Sequence, residues 1–309
     1  MEQDRLAAAY SDANPFFRAC RHMGWGALVN LGYYTLPTLP AVLGGLSFFQ
    51  RRLETRSLKL LEARPGHRVL DACCGRGHTV ARLSASGCDA VGVDITPQQI
   101  AQARARYGHA PRTTFAVADV TALPRQAENI GTTDDSFDRV HCLEAAFHLS
   151  PTGRRALLAE AYRVLRPGGR FVLVDFTWNT ADPTEIRRLD PHGLVRTAWQ
   201  IEEFEPSARY LAHAEETGFV VRRTADWTRP VITRFTQLGT ALTRLAATPL
   251  GRRALCLRWP GLRELSERDW HVTLATVNAH QALGRHVGYT ALVLDKPAPM
   301  SRGRSLITH

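Results

Sequence analysis

The chain has 309 residues, of which 44% are hydrophobic, and a formal net charge of +10. This length exceeds the roughly 150 residues of a typical domain and predicts one large core with extensions. The basic residues are almost all scattered arginines without interleaved aromatics, which disfavours specific nucleic-acid binding. The six cysteines lack paired metal-ligand spacing, so we expect no metal site and a reduced, cytoplasmic protein.

The first 58 residues are expected to form a helical, apolar lid, since residues 24–50 contain no charged side chain. Pro37, Pro40 and Asn30 would leave backbone groups without hydrogen bonds in hydrocarbon, so this segment is not expected to span a membrane. At most a peripheral membrane contact is predicted. We expect the lid to fold over a bound ligand and to close an apolar chamber.

Residues 69–79 predict a strand, a tight turn and the start of a helix. Gly75 and Gly77 allow positive φ angles and a close approach of a ligand to the backbone, beside the N–H groups of the helix N-terminus. Val80 stands where a dinucleotide-binding turn carries a third glycine, and no Gly-Lys-Ser/Thr motif is present. NAD, FAD and a P-loop phosphate cradle are therefore disfavoured, which leaves a ligand with an adenosine and no polyphosphate.

Acidic residues end the next two predicted strands. Asp94 follows the apolar run 90–93, roughly twenty residues beyond the turn, where an acid in such a fold accepts hydrogen bonds from ribose hydroxyls. Asp119 follows the run 114–117 and can accept a hydrogen bond from an adenine amino group. This pair of acids fits S-adenosylmethionine.

These residues together resemble the class I S-adenosylmethionine-dependent methyltransferases. Two further motifs of that family follow at 135–140 and 163–171, so the resemblance covers about residues 60–176. It implies an α/β fold, with a Rossmann-like seven-stranded sheet, a helical lid and insertions, in a domain of residues 59–297. Most members carry glycine at the position of Cys73, which indicates a variant turn here. The implied cofactor contacts are Asp71, Cys73, Gly75, Gly77, Asp94, Ile95, Asp119, Val120 and Glu144.

Two tyrosines of the lid extend this resemblance. Residues 30–34 are similar to the segment that precedes the core in tocopherol and sterol methyltransferases, where an aromatic hydroxyl helps to hold the methionine end of the cofactor. Tyr33 and Tyr34 are therefore implied as cofactor contacts, and Tyr34 also as an acceptor contact. Simple packing in the apolar core is the alternative for both tyrosines.

Residues 141–150 follow the fourth predicted strand, at the sheet edge where an acceptor is expected. They lack the Asn/Asp-Pro-Pro-Tyr/Phe motif that holds planar amines in nucleic-acid and some protein methyltransferases. Small-molecule members often carry a glutamate and then a histidine here, which match Glu144 and His148. The resemblance implies that His148 is a general base for a hydroxyl acceptor, whereas capping of the following helix is the alternative. Glu144 is a catalytic candidate that we expect mainly to close the cofactor pocket.

The end of the fifth predicted strand supplies further candidates. Asp175 is a third candidate catalytic residue, as a proton acceptor. Trp178 and Phe147 are expected to contact the acceptor, and Trp178 would stabilise a cation formed on an alkene.

Two insertions and a tail complete the chain. Residues 178–206 are expected to form the wall of the acceptor pocket together with the N-terminal lid, because ligands of open α/β sheets bind beyond the carboxyl ends of the strands. Residues 229–285 separate the last two strands, and their leucine spacing predicts amphipathic helices. The tail, residues 298–309, is expected to be disordered.

The sequence thus predicts an enzyme that transfers the methyl group of S-adenosylmethionine to a carbon or hydroxyl oxygen of a small, largely apolar acceptor. A secondary metabolite, an isoprenoid or a lipid-like molecule would fit. Two alternatives stay open: a cyclase-like enzyme that binds the cofactor without transferring its methyl group, and a basic nucleic-acid-binding module. The sequence is compatible with a homo-oligomer.

Overall fold

Seven strands form one sheet in the computed structural model of the chain, which describes residues 14–25, 28, 30–35, 45–125, 130–180 and 182–298. The predicted tail lies outside these residues except for residue 298. The strands are β1 Arg68–Ala72, β2 Asp89–Asp94, β3 Thr113–Val117, β4 Phe137–Leu143, β5 Leu165–Trp178, β6 Val220–Asp226 and β7 Val287–Asp295. The α-helices are α1 Pro15–His22, α2 Ser47–Leu61, α3 His78–Ala85, α4 Pro97–Tyr107, α5 Pro151–Val164, α6 Ile186–Leu189, α7 Leu194–Trp199, α8 Ser207–Thr217, α9 Arg234–Ala246, α10 Pro249–Arg258 and α11 Glu267–Leu283.

The strand order is β3-β2-β1-β4-β5-β7-β6, and β7 is antiparallel to both of its neighbours. The first five strands of that order are parallel. This arrangement confirms the predicted Rossmann-like seven-stranded sheet. Because the carboxyl ends of parallel strands meet at one edge, the residues that follow β1, β2, β4 and β5 are brought together there.

Alternating side chains of each strand enter two separate cores. Val69 packs into a cluster formed with α2, α3 and α4, whereas its neighbour Leu70 packs with α5 and α8 on the opposite face. Both residues are fully buried. The apolar runs of the parallel strands follow from this burial on both faces, since each side chain of such a strand needs an apolar partner.

The helix α3 carries Val80 where a dinucleotide-binding turn has its third glycine. Gly92 on β2 provides the space that this missing glycine would otherwise provide. Val80 on α3 is fully buried, and a Cβ atom at Gly92 would lie 2.7 Å from its Cγ2. The same Cβ atom would lie 2.8 Å from the Cys74 sulfur. Close packing of helix and sheet is therefore achieved from the strand side, with the side chain retained on the helix.

We expect Gly92→Ala to lower the free energy of unfolding by about 1–3 kcal/mol, because the added methyl group overpacks this contact. Urea denaturation measures the effect. Gly284→Ala is the matched control: φ there is −55°, and the nearest atoms to an added Cβ are 3.5 Å away. Equal stability of the two variants would contradict the packing described for Val80.

Most of the helices between β6 and β7 assemble beside the sheet with α1. Helices α1, α9, α10 and α11 share an apolar cluster that includes Leu255, Trp259 and Trp270, and α7 packs against α11. We call these five helices the helical cap. Within the described ranges, no helix is both long and apolar enough to cross a bilayer.

Candidate active site

The turn after β1 places three residues in the left-handed backbone region, with φ of 62° at Cys73, 50° at Gly75 and 77° at Gly77. A Cβ atom at Gly77 would lie 2.6 Å from the Phe115 ring, whereas one at Gly75 would meet open space. Gly77 is thus required by the packing beneath the turn, and Gly75 leaves the backbone accessible from the cavity above. The positive φ of Cys73 explains why glycine suits that position.

Asp94 connects this turn to the end of β2. Its two carboxylate oxygens accept hydrogen bonds from the backbone N–H groups of Gly75, at 3.0 Å, and Thr96, at 2.9 Å. The carboxylate is nearly buried and lines the cavity. Each carboxylate oxygen has a second lone pair, so the group can also accept hydrogen bonds from a ligand hydroxyl.

Asp71 is held by a chain of buried polar groups that the sequence did not reveal. Its Oδ1 lies 2.7 Å from Nδ1 of His141, and Nε2 of the same ring lies 2.5 Å from the Ser57 hydroxyl oxygen. Burial raises the pKa of Asp71, and the hydrogen bond from His141 partly offsets this rise. His141 therefore orients the motif acid from below and does not itself line the cavity.

A cavity of about 270 Å³ lies above the turn, and most of the predicted cofactor residues line it. Those residues are Asp71, Cys73, Gly75, Asp94, Ile95, Asp119, Val120 and Glu144. Three of them are aspartates, whereas the lining contains one arginine, Arg76. With acidic oxygen acceptors and little positive charge, such a cavity suits hydroxyl and amino donors better than a polyphosphate, so the residues fit S-adenosylmethionine. No group of side chains able to hold a metal ion is found in the part of the chain that the structure describes.

Glu144 links the lid to the sheet at one end of this cavity. Its carboxylate accepts a hydrogen bond from the Leu31 N–H group, at 3.0 Å to Oε2, and one from the Tyr289 hydroxyl, at 2.6 Å to Oε1. Burial raises the pKa of Glu144 to about 8. Glu144 follows β4 and connects it to the lid and to β7. These contacts give a geometric basis for the predicted role of Glu144 in closing the cofactor pocket.

His148 lines the same cavity, on a short 3-10 turn formed by Ala146–His148. Its ring lies against that of Phe147, with centroids 3.9 Å apart. The buried guanidinium of Arg154 donates hydrogen bonds to the carbonyl oxygens of Ala146 and Phe147 and pairs with Glu205 at 2.9 Å. Neither Arg154 nor Glu205 could be found from the sequence, since their contact joins segments fifty residues apart.

Asp175 does not reach the cavity that His148 lines. Its side chain is 1% exposed, and its Oδ1 accepts a hydrogen bond from the Phe176 N–H group at 2.8 Å. Burial raises its pKa to about 7, and the backbone N–H groups of Phe147 and Ala146 act in the opposite direction. The expectation that it removes a proton from the acceptor is therefore corrected: it lies under the 3-10 turn and positions it.

Three predicted aromatic contacts are also placed away from the cavity. The Tyr34 hydroxyl donates a hydrogen bond to the Leu31 carbonyl oxygen, and its ring stacks on Phe49 at 4.3 Å. Tyr33 packs edge-on against Trp227, under the guanidinium of Arg56. Both tyrosines follow the core-packing alternative.

Trp178 is 1% exposed and stacks against Phe204 at 6.1 Å and His286 at 5.8 Å, and the indole N–H group donates to the Asp182 carbonyl oxygen. It lines neither the cavity above the turn nor the apolar cavity that Phe147 lines, so we withdraw the expectation that it contacts the acceptor.

A second, apolar cavity of about 40 Å³ is lined by Leu31, whose N–H group donates to Glu144, and by Phe147, the neighbour of His148. Phe176, Trp199 and Phe204 also line it. The ring centroids of Phe147 and Phe176 are 4.8 Å apart, and those of Phe176 and Phe204 are 5.7 Å apart. Its walls come from the lid, the insertion 178–206 and also the insertion 229–285, whose contribution the sequence analysis did not anticipate.

A buried histidine fixes the position of Trp199 in this wall. The indole N–H group of Trp199 donates to Nε2 of His280 at 2.6 Å, and Nδ1 of His280 lies 2.7 Å from the Thr276 carbonyl oxygen. Burial lowers the pKa of His280, so the ring is neutral and donates from Nδ1. We call the four aromatic residues Phe147, Phe176, Trp199 and Phe204 the aromatic wall.

The raised pKa values of Glu144 and Asp175 predict how stability depends on pH. In the unfolded chain, carboxyl groups titrate near pH 4. Between about pH 5 and pH 8 these two groups therefore bind more protons in the folded protein than in the unfolded chain, and their contribution to the free energy of unfolding falls as the pH rises. We expect the urea midpoint of the ligand-free wild type to decrease across this window relative to the midpoints of Glu144→Gln and Asp175→Asn. The same dependence of the midpoint on pH in the wild type and both variants would contradict the burial of these acids in neutral form.

Comparisons with known proteins agree with this geometry. A family model described as a methyltransferase domain matches residues 69–169. An uncharacterized methyltransferase of Synechocystis, sll0829, is 32% identical over 158 residues, which are 49% of this chain and 68% of that protein. The 27-O-demethylrifamycin SV methyltransferase of Amycolatopsis mediterranei is 28% identical over 284 residues, or 88% of this chain and 91% of that protein. Among solved structures, the cyclopropane synthase MmaA2 of Mycobacterium tuberculosis has a TM-score of 0.70 at 18% identity, over 95% of this chain and 98% of that one.

Proposed function

Because the chain belongs to the class I S-adenosylmethionine-dependent methyltransferases, we propose that it methylates a carbon or hydroxyl oxygen of a small, largely apolar acceptor. The observation that carries this proposal is the aromatic wall, which borders an apolar cavity whose lining includes Phe147, the residue that precedes His148, and Leu31, which donates to Glu144. A flat or branched hydrocarbon body is the chemistry that such a cavity accepts. The acceptor's reacting atom would then face the cofactor cavity.

The proposed cofactor site divides its tasks among the residues of the first cavity. Asp94 accepts hydrogen bonds from the ribose, Asp119 accepts one from the adenine amino group, and the open backbone at Gly75 lets the ligand approach the turn. Ile95 and Val120 supply apolar contacts. When bound, the cofactor supplies an electrophilic methyl group on a sulfonium sulfur. The protein's own contribution is to align the acceptor with that group and to exclude water.

His148 is the proposed base when the acceptor is a hydroxyl group. Its Nδ1 is buried, so Nε2 is the nitrogen that an acceptor in the cavity can reach. A neutral imidazole at this position accepts the hydroxyl proton while the oxygen is methylated. Glu144 would hold the lid closed through Leu31 and Tyr289 during this step.

The relatives support a small acceptor without identifying it. The protein named for 27-O-demethylrifamycin SV aligns over most of this chain. Methylation at a hydroxyl oxygen, which that name implies for the relative, is the reaction in which His148 would act as the base.

The experiment that tests the proposal uses a cofactor with a deuterated methyl group and a panel of apolar alcohols, phenols and alkenes. Mass spectrometry should find a product heavier than its acceptor by one labelled methyl group, together with an equal amount of S-adenosylhomocysteine. Consumption of an acceptor without transfer of the label would favour the cyclase-like alternative. Failure of every apolar acceptor, with transfer of the label to polar amines, would contradict the proposed acceptor class.

A further inference from the structure

The outer face of α10 carries two of the most exposed leucines in the described part of the chain. Leu250 is 76% exposed and Leu257 is 73% exposed. They stand seven residues apart, which places them on the same side of a helix with 3.6 residues per turn. Leu245, at the end of the neighbouring helix α9, is 42% exposed and adds a third apolar side chain near the N-terminus of α10. Isolated exposed leucines are common, but three on adjoining helices form a patch.

Arginines surround these leucines. Arg253 is exposed on the same side of α10 as the leucines, Arg258 is exposed at the C-terminal end of that helix, and Arg244 is exposed near the end of α9. The whole stretch of residues 227–263 contains seven arginines and no acidic residue or lysine. Acidic side chains begin at Glu264, and Glu267 pairs with Arg252, which lies on another side of α10. We call Leu245, Leu250, Arg253, Leu257 and Arg258 the α10 patch.

The opposite side of α10 anchors the helix to the cap. Leu255 is buried, and Gly251 packs so closely on the end of α9 that an added Cβ atom would overlap the Leu245 carbonyl oxygen. The Thr248 hydroxyl caps α10 by accepting from the Gly251 N–H group at 3.0 Å. The patch is thus held on a rigid support, and its leucines cannot turn inward.

An apolar cavity lies directly beneath the patch. Leu255 of α10 lines it, and it shares Phe235, Thr236 and His280 with the cavity of the aromatic wall. Almost all of its lining is apolar, so the inside of the cap continues from the acceptor cavity towards α10. This continuity joins the exposed patch to the region in which an apolar molecule would bind.

We propose that the α10 patch docks onto the surface of an anionic lipid bilayer. Leucines with flanking arginines are the pattern of helices that lie in a membrane interface: the apolar side chains enter the acyl boundary while the guanidinium groups contact anionic headgroups. The docking brings the cap, and the apolar cavity under it, to the phase in which poorly soluble acceptors are concentrated. This inference does not require the proposed methyl transfer, since the patch lies outside the cofactor site.

Other partners fit the patch less well. A nucleic-acid backbone would meet three leucines at the centre of the contact, and the nearest aromatic residue, Trp259, is 8% exposed and cannot stack on a base. A second copy of this chain, docked through the same face, would bring Arg253 and Arg258 against their own equivalents, which is an unfavourable arrangement of like charges.

The test is co-sedimentation of the full chain with large unilamellar vesicles. One set contains equal parts of phosphatidylglycerol and phosphatidylcholine, and the other contains phosphatidylcholine alone. The variants are the leucine pair Leu250→Ser with Leu257→Ser and the arginine pair Arg253→Gln with Arg258→Gln. The matched control is Val220→Ser with Arg223→Gln on β6, where the valine is 42% exposed. Circular dichroism and calorimetric titration with S-adenosylhomocysteine establish that each variant is folded.

We expect the wild type and the control to bind the anionic vesicles with partition coefficients within about twofold of one another, and to bind the neutral vesicles weakly. Each arginine near an anionic surface contributes roughly fivefold, so the arginine pair should lower partitioning by at least about tenfold. The leucine pair should lower it by a similar factor, including at high salt.

Three results would overturn the proposal. The wild type could fail to bind anionic vesicles, or the leucine pair could bind them as the wild type does. The third result is that the wild type does not bind vesicles but is retarded by DNA or RNA, or forms a dimer in sedimentation velocity, and that the patch variants lose that binding. Since none of these readouts uses methyl transfer, failure here leaves the proposed function to its own test.

Discussion

Replacing His148 by glutamine should lower kcat for a hydroxyl acceptor by about 10²–10⁴, the range that a general base contributes. Glutamine retains a polar side chain of similar length but cannot accept and carry away a proton. The affinity for S-adenosylhomocysteine should stay within about twofold, because the proposed adenosine contacts, Asp94 and Asp119, are unchanged in this variant. Single-turnover kinetics with a labelled cofactor and the acceptor found in the panel measure the change.

The control for this variant is His109→Gln, which alters an exposed histidine after α4. It should leave kcat unchanged. If His148→Gln also left kcat unchanged with a hydroxyl acceptor, His148 would not be the general base. Its role would then be to cap the following helix or to pack in the turn. A loss of cofactor affinity together with kcat would instead point to collapse of the 3-10 turn that Arg154 supports.

Replacing Asp94 by alanine should weaken binding of S-adenosylhomocysteine by about 100-fold or more. Two effects add: the ribose hydroxyls lose hydrogen bonds to a charged acceptor, each worth roughly 1.5–3 kcal/mol, and the N–H groups of Gly75 and Thr96 lose their partner. Asp94→Asn should also bind weakly, because the amide N–H₂ group would face one of these backbone donors. Isothermal titration calorimetry measures both variants.

Asp89→Ala is the matched control, since Asp89 begins the same strand that Asp94 ends and its side chain is about half exposed. Its affinity should equal that of the wild type. Equal affinity of Asp94→Ala and the wild type would show that the ribose does not lie at the end of β2.

The sequence predicted which residues surround the first cavity, because that cavity is built from local signals. A strand, a turn with glycines and an acid at the next strand end are close in the chain, and the parallel sheet brings strand ends together. Asp71, Asp94 and Asp119 consequently line one cavity.

The acceptor end was predicted less well, because it depends on contacts between distant segments. Trp199 is held by His280, 81 residues away, and no local pattern marks either residue. Tyr34, in the apolar lid, and Trp178, at the end of a predicted strand, were both expected to contact the acceptor. In the structure both side chains pack in the core, and each donates a hydrogen bond to a nearby backbone carbonyl group.

The measurement that tests the account most directly is calorimetric titration of the full, folded wild-type chain with S-adenosylhomocysteine. The account predicts saturable heat with one site per chain, and loss of that heat in Asp94→Ala but not in Asp89→Ala. Absence of any heat with S-adenosylhomocysteine and with S-adenosylmethionine, in protein that unfolds cooperatively, would contradict it.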